Sequence, residues 1–188
     1  MRAGIKPETV IAAAGDIADR EGWDQVTLAN VAGNLGIRTP SLYNHVDGLQ
    51  DLRQKLAIHA SGLLLARLTD AAVGRTGEQA FIALGIVYVE FVSEHPGLYD
   101  AINRLPLPGP VEFEHNAEQI LKLFIRLMEP LGLPESEFVH AIRGLRSMVH
   151  GFASLKSMGG FQMQEELYES VTKSITYYIQ GLSVLFLK

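Results

Sequence analysis

Eight consecutive residues, Arg38-Thr39-Pro40-Ser41-Leu42-Tyr43-Asn44-His45, concentrate side chains suited to recognition. Arginine can bond the guanine edge bidentately, and the threonine methyl can touch the thymine methyl. Hydroxyl, amide and imidazole groups bond phosphates and base edges alike. Arg38, Thr39 and Ser41 are therefore expected to read base edges, with a phosphate contact as the alternative for Arg38. Tyr43, Asn44 and His45 are polar-tipped and expected to face outward. For Tyr43 the alternative is packing against the first helix, its hydroxyl in water. Only Leu42 and Val46 are expected to turn inward. Nucleophile–base sets, paired carboxylates, phosphate-cradling glycine loops and metal-ligand clusters do not stand out.

Such side chains need elements to present them, and the flanking sequence supplies two short helices broken at Gly36. A first helix is expected from Pro7, because the first helical turn tolerates a residue without an N–H. Its apolar face is Val10, Ile11, Ala14, Ile17 and Ala18, and Gly22 ends it, with Trp23 covering the small core. Thr27 is an N-cap for a second helix, with Leu28, Val31, Ala32 and Leu35 inward. The Thr27 hydroxyl is equally placed for a phosphate, and the two roles are compatible. Gly36 takes the turn, Ile37 anchors it, and a third helix is expected over about Thr39 to Asn44. This layout is a helix-turn-helix. A long helix from about Gly48 to Ala72 leads onward.

The rest also has helical period. Helices are expected from Gly77 to Glu94 with Thr76 and Gln79 at capping-box spacing, from Leu98 to Asn103, from Val111 to Leu131, from Glu135 to Met158 and from Gln162 to Leu185. The class is all-α: an N-terminal three-helix helix-turn-helix domain (1–50), joined by the long helix to a C-terminal helical ligand-binding and dimerisation domain (51–188). A 47% hydrophobic composition is enough for a buried core. The net charge of −5, with six cations against seven acids in the first 60 residues, denies the reading head a strongly basic footprint. Affinity for DNA then depends on a few placed cations, backbone N–H groups and helix termini. The absence of cysteine excludes disulfides and thiolate metal sites and fits a cytoplasmic location. No apolar run reaches signal-peptide or membrane-span length, so no membrane partner is expected. Six histidines without tight ligand spacing suggest no metal, and no cofactor is expected.

The combination Thr27, Val31-Ala32, Leu35-Gly36-Ile37, Pro40-Ser-Leu-Tyr43 and His45, followed by Leu49 and Leu52, resembles the TetR family of transcriptional regulators over residues 7 to 56. His95-Pro-Gly-Leu-Tyr99 and Val149-His-Gly-Phe-Ala-Ser-Leu155 resemble the C-terminal domain of relatives known by a Trp-His-Gly signature, with Val149 in place of the tryptophan. The resemblance implies an all-helical homodimer, a repressor in most relatives, that binds double-stranded operator DNA and releases it on binding a small-molecule effector. It also implies that Tyr43 and His45 approach phosphates or bases. Many relatives carry a phosphate-holding lysine early in the long helix. Leu49 stands there instead, between Asp47 and Asp51, which repel phosphate.

Tyr88, Phe91, Phe124, Met128, Met148, His150 and Phe152 have the composition of a small-molecule pocket. They also have the composition of a core, so a subset is expected to line a cavity. His150 has three readings: a ligand contact, a buried histidine bonded to a carbonyl, or a residue at a dimer seam. Two stripes, Phe138-Ile142-Leu145-Val149-Phe152 and Val171-Ile175-Tyr178-Ile179-Leu182, suit a four-helix bundle with a symmetry mate, or an intramolecular core. Dimerisation would place two reading helices about 34–36 Å apart, matching successive major grooves. A ligand favouring one spacing would shift the population by swinging the long helix. The alternatives are an enzyme, and a helical interaction module that has lost DNA binding.

Overall fold

A computed structural model describes residues 5–186; Arg2, one of the N-terminal cations, lies outside them. Among the described residues there are eight α-helices and no strand. They are α1 (Pro7–Glu21), α2 (Leu28–Asn34), α3 (Leu49–Ala72), α4 (Gly77–Glu94), α5 (Pro96–Arg104), α6 (Val111–Met128), α7 (Glu135–Ser157) and α8 (Leu167–Phe186). Short 3₁₀ turns occupy Trp23–Gln25, Thr39–Asn44 and Glu129–Leu131. The chain divides into two compact units. One holds the residues up to Leu63 together with Glu94–Asn116, and the other holds Leu64–Ser93 and everything from Ala117.

In the first unit α1 opens on Pro7 and buries Val10, Ala13, Ala14, Ile17 and Ala18. Trp23 covers that core from one end, and the Arg53 guanidinium lies over its ring at 5.1 Å. Leu52, Leu56, Ala57 and Ala60 of α3 are fully buried. Buried Ser61 is satisfied on both sides: it donates to the Ile58 carbonyl (2.9 Å) and accepts from the Asn116 amide (3.0 Å).

The most intimate contact in this unit joins α1 to α5. Gly97 lies directly on the α1 backbone at Ala18, where a Cβ would overlap the main chain. Asp19 then holds the N-terminus of α5. Its Oδ1 accepts from the Gly97 and Leu98 N–H groups (2.8 and 3.0 Å), and its Oδ2 meets His95 Nδ1 at 2.8 Å. A carboxylate on the free N–H groups of a helix start is stabilising both as a cap and against the helix dipole.

The second unit is built on Leu68, Phe81, Leu84, Val89, Phe91, Met128 and Ile175, all buried. Gly85 of α4 gives room to Ile175 and Val149, and Gly144 of α7 gives room to the Tyr178 ring. The Tyr178 hydroxyl donates to the Ala141 carbonyl at 2.9 Å, and burial pushes its pKa up. Glu78 ties α4 to α8 by accepting from Thr176 and Gln180 (3.2 and 3.0 Å).

Besides α5, which starts on Pro96 rather than at the expected Leu98 because the first helical turn tolerates proline, three boundaries differ from the sequence expectation. The helix expected to run to Leu131 tightens after Met128 into a 3₁₀ turn at Pro130, which cannot donate an i→i−4 bond. The last helix begins at Leu167, five residues later than expected. The Gly160 and Gly159 N–H groups close α7 on the Leu155 and Lys156 carbonyls (2.8 and 3.0 Å), and Gln162 spends its side-chain amide on the Gly159 carbonyl (2.7 Å). This double closure is a Schellman end, and the chain needs further residues to reverse. The third difference concerns the reading segment.

Candidate nucleic-acid interface

Thr27 caps α2, its hydroxyl accepting the Asn30 N–H at 3.1 Å. The Asn30 amide reaches back to the Gln25 carbonyl (2.8 Å) and fixes the entry of the helix. At the other end Gly36 has φ +65, a left-handed turn that glycine alone adopts at low cost. The Ile37 N–H then returns to the Ala32 carbonyl (3.0 Å).

The chain then forms a six-residue 3₁₀ helix, Thr39–Asn44, where the sequence suggested a third helix without this tightening. Pro40 removes one donor, and the Ser41 and His45 N–H groups bond carbonyls three residues back, Arg38 (2.9 Å) and Leu42 (2.8 Å). A three-residue repeat turns few positions inward. Leu42 is fully buried and Val46 nearly so, whereas Arg38, Pro40, Ser41, Tyr43 and Asn44 are exposed and Thr39 and His45 half-buried. Tyr43 is 59% exposed, which excludes packing of its whole ring against α1. One buried leucine thus holds a turn that presents the seven predicted residues from Arg38 to His45 other than Leu42.

The acidic pair flanking this turn is not equivalent. Asp51 Oδ2 accepts the Asp47 N–H at 2.8 Å and the Lys55 ammonium at 2.7 Å. Lys55 also donates to the His45 carbonyl at 2.9 Å, locking the end of the turn to α3. Partial burial pushes the Asp51 carboxyl upward, but the Lys55 and Asp47 hydrogen bonds and the Lys55 charge hold it below its usual range. Asp51 is therefore a charge already answered inside the protein, leaving Asp47 as the open one. Sequence reasoning missed this role of Lys55, although the four-residue spacing of Asp51 and Lys55 was the available signal.

The other predicted residues fall in the second unit. Tyr88, Phe91 and Met128 are buried, Phe124, Met148 and Phe152 are half-buried, and His150 is exposed with its Nε2 3.3 Å from the Ser154 hydroxyl. The buried-histidine reading of His150 is thereby corrected: the last turns of α7 carry it on their solvent side. Phe152 stacks on Phe161 at 5.7 Å, and Arg67 lies 5.6 Å over the Phe91 ring. Of the residues expected at a dimer seam, Leu145, Val149, Val171, Ile175 and Ile179 are at most 4% exposed within the single chain. They have no surface left for a partner, which corrects that part of the assignment in favour of the intramolecular core. Ile142, Tyr178 and Leu182 are half-buried. Among the described residues no group of three or more histidines and carboxylates is placed to hold a metal ion. No single described helix is long and apolar enough to cross a membrane.

Residues 81–178 match the family described as tetracyclin repressor-like, C-terminal domain. The chain is 36% identical over 184 residues to the uncharacterized HTH-type transcriptional regulator YobS of Bacillus subtilis, covering 97% of this chain and 95% of that one. It belongs to the TetR family of transcriptional regulators. A second such regulator, Rv0681 of Mycobacterium tuberculosis, is 32% identical, with 84% of this chain and 72% of that one covered. Among solved structures, the TetR regulator SCO7222 of Streptomyces coelicolor shares the fold with a TM-score of 0.75 at 18% identity, covering 97% and 100% of the two chains. A TetR variant from Acinetobacter baumannii, solved with minocycline, gives 0.71 at 19%, covering 97% and 99%. Transcriptional regulation by a TetR-type protein, rather than catalysis, is the function class these relatives show.

Proposed function

We propose that this TetR regulator is a cytoplasmic homodimeric repressor that binds a palindromic operator and leaves it on binding a small hydrophobic effector. The observation that carries the DNA-binding part is the 3₁₀ turn Thr39–Asn44, which buries Leu42 and offers Tyr43, Asn44, Ser41 and the preceding Arg38 to solvent. Residues 1–50 act as the reading head. Arg38, Thr39 and Ser41 meet base edges; Pro40 fixes the turn; Tyr43, Asn44, His45 and Thr27 meet backbone phosphates and flanking bases.

For the dimer, α8 carries an unpartnered apolar stripe at helical spacing, Tyr177, Gly181, Val184 and Leu185, with the three side chains 68%, 81% and 70% exposed. A two-fold contact through this stripe, edged by half-buried Tyr178 and Leu182, takes over from the seam residues that the core has buried. The Acinetobacter structure, solved with minocycline, supports a small-molecule effector, and the proposal places its site in the second unit. Half-buried Phe124, Met148 and Phe152 are its candidate walls here.

The test is a gel-shift titration of Arg38→Ala and Tyr43→Ala against DNA enriched by the wild-type chain. Each variant is expected to lose about tenfold or more in affinity, the size of one good base or backbone contact, while melting like the wild type. Unchanged affinity in both removes the assignment of this turn.

A further inference from the structure

The first unit contains an open cleft of about 540 Å³, within the range of small-molecule sites. One wall is Trp23 with Leu49 and Arg53 of α3; the other is Arg104, which ends α5, with Leu105 and Pro106 after it. The remaining wall residues are two glutamines and a proline, so two guanidinium groups and no carboxylate line the cleft.

Arg53 is the informative member. It is half-buried, lies over the Trp23 ring, and gives one weak hydrogen bond, Nη2 to the Val26 carbonyl at 3.3 Å. Its Nε is buried without any hydrogen-bond partner, and no carboxylate pairs with it among the described residues. A withdrawn cation with neither counter-charge nor full hydrogen bonding is costly to the folded chain. Arg104 is loosely held: Asp100 is 3.5 Å from its Nε, Asp24 is 3.8 Å from its Nη1, and half its side chain is in solvent. Both distances exceed the 2.7–2.9 Å of a tight charged hydrogen bond, so an incoming anion can capture this group.

We propose that the cleft binds an organic anion with a flat or extended apolar body. Its carboxylate lies between Arg53 and Arg104, and its body rests on Leu49, Leu105 and Pro106. The site lies in the first unit, separate from the effector site proposed in the second, and its test does not depend on the DNA contacts.

The sequence contains one tryptophan, Trp23, and it stands in the cleft wall, so its fluorescence reports occupancy locally. The probe is 4-phenylbutyrate, with neutral 4-phenylbutyramide as control, titrated into the full chain. The acid is expected to change Trp23 emission saturably below about 1 mM, and the amide to bind at least about tenfold more weakly, since one lost charged contact amounts to that ratio. Arg104→Gln is expected to weaken the acid about tenfold. Leu105→Glu, which sets a carboxylate in the wall, is expected to do the same, so the test survives if either variant fails to fold. The site is overturned by any of three results: no saturable Trp23 response to the acid, equal binding of acid and amide, or undiminished acid binding in the folded variants. Calorimetric binding that leaves Trp23 silent assigns the probe to the second unit and equally overturns it.

Discussion

Leu42 is the residue on which the reading turn depends. It is fully buried while its neighbours on both sides are exposed. Leu42→Ala is expected to destabilise the chain by about 2–5 kcal/mol, the range for emptying a buried leucine site, measurable by urea unfolding. The same turn was largely legible in the sequence, because Leu42 and Val46 are the apolar positions in a polar run and the rest must face outward. The electrostatics beside it was less legible. Asp47 and Asp51 look alike as letters, yet Asp51 is bonded by Lys55 and by the Asp47 N–H. The depressed Asp51 pKa gives a sign to the pH dependence. Its stabilising contribution is complete above the ordinary aspartate pKa of about 3.9 and is lost as pH falls through the lower folded value. Asp51→Asn is expected to cost about 1 kcal/mol near neutrality and to shrink the stability difference from wild type in acid. Paired urea curves at pH 7 and pH 3 check this, and an equal difference at both pH values contradicts it.

At the scale of elements, the Asp19 clasp shows where periodicity runs out. The sequence expectation began this helix at Leu98, two residues after the actual start of α5 at Pro96, and nothing local indicates that an aspartate 78 residues earlier closes on Gly97. Pairing across such a distance is decided by packing, and the signal was the unexplained glycine in His95-Pro-Gly-Leu-Tyr99. Gly97→Ala is expected to destabilise by about 3 kcal/mol, because the added Cβ meets backbone at Ala18, which cannot rotate away. Asp19→Ala leaves two N–H groups and His95 without their acceptor and is expected to cost about 1–3 kcal/mol. Thermal unfolding of both variants tests the clasp; wild-type melting of Gly97→Ala contradicts the close approach. The late start of α8 was unreadable for a related reason: residues 162–166 have helical composition, but the closure at Gly159 and Gly160 consumes them in reversing the chain.

At the scale of the whole molecule, the all-α class was legible from period alone, and the apolar stripes of α7 and α8 were correctly seen as packing surfaces. Their partner was not, because a stripe shows that it must be covered and not by what. Val149 and Ile175 cover each other's neighbourhood around Gly85 within one chain, and the proposed seam uses instead the exposed α8 face bearing Tyr177, Val184 and Leu185. Val184→Glu is expected to convert a dimer to monomers, since a charge at the centre of an apolar two-fold contact is doubled by symmetry and left unpaired. Sedimentation velocity reads the outcome, and a wild-type dimer that persists in Val184→Glu contradicts this seam. Two reading heads in the proposed dimer lead to the central claim, sequence-specific DNA binding by a head without bulk positive charge. Selection of bound sequences from random double-stranded DNA, at about 100 mM salt because phosphate contacts weaken as salt rises, tests it most directly. Enrichment of an inverted repeat whose half-sites are about one helical turn apart is the predicted result; recovery of unenriched DNA would contradict it.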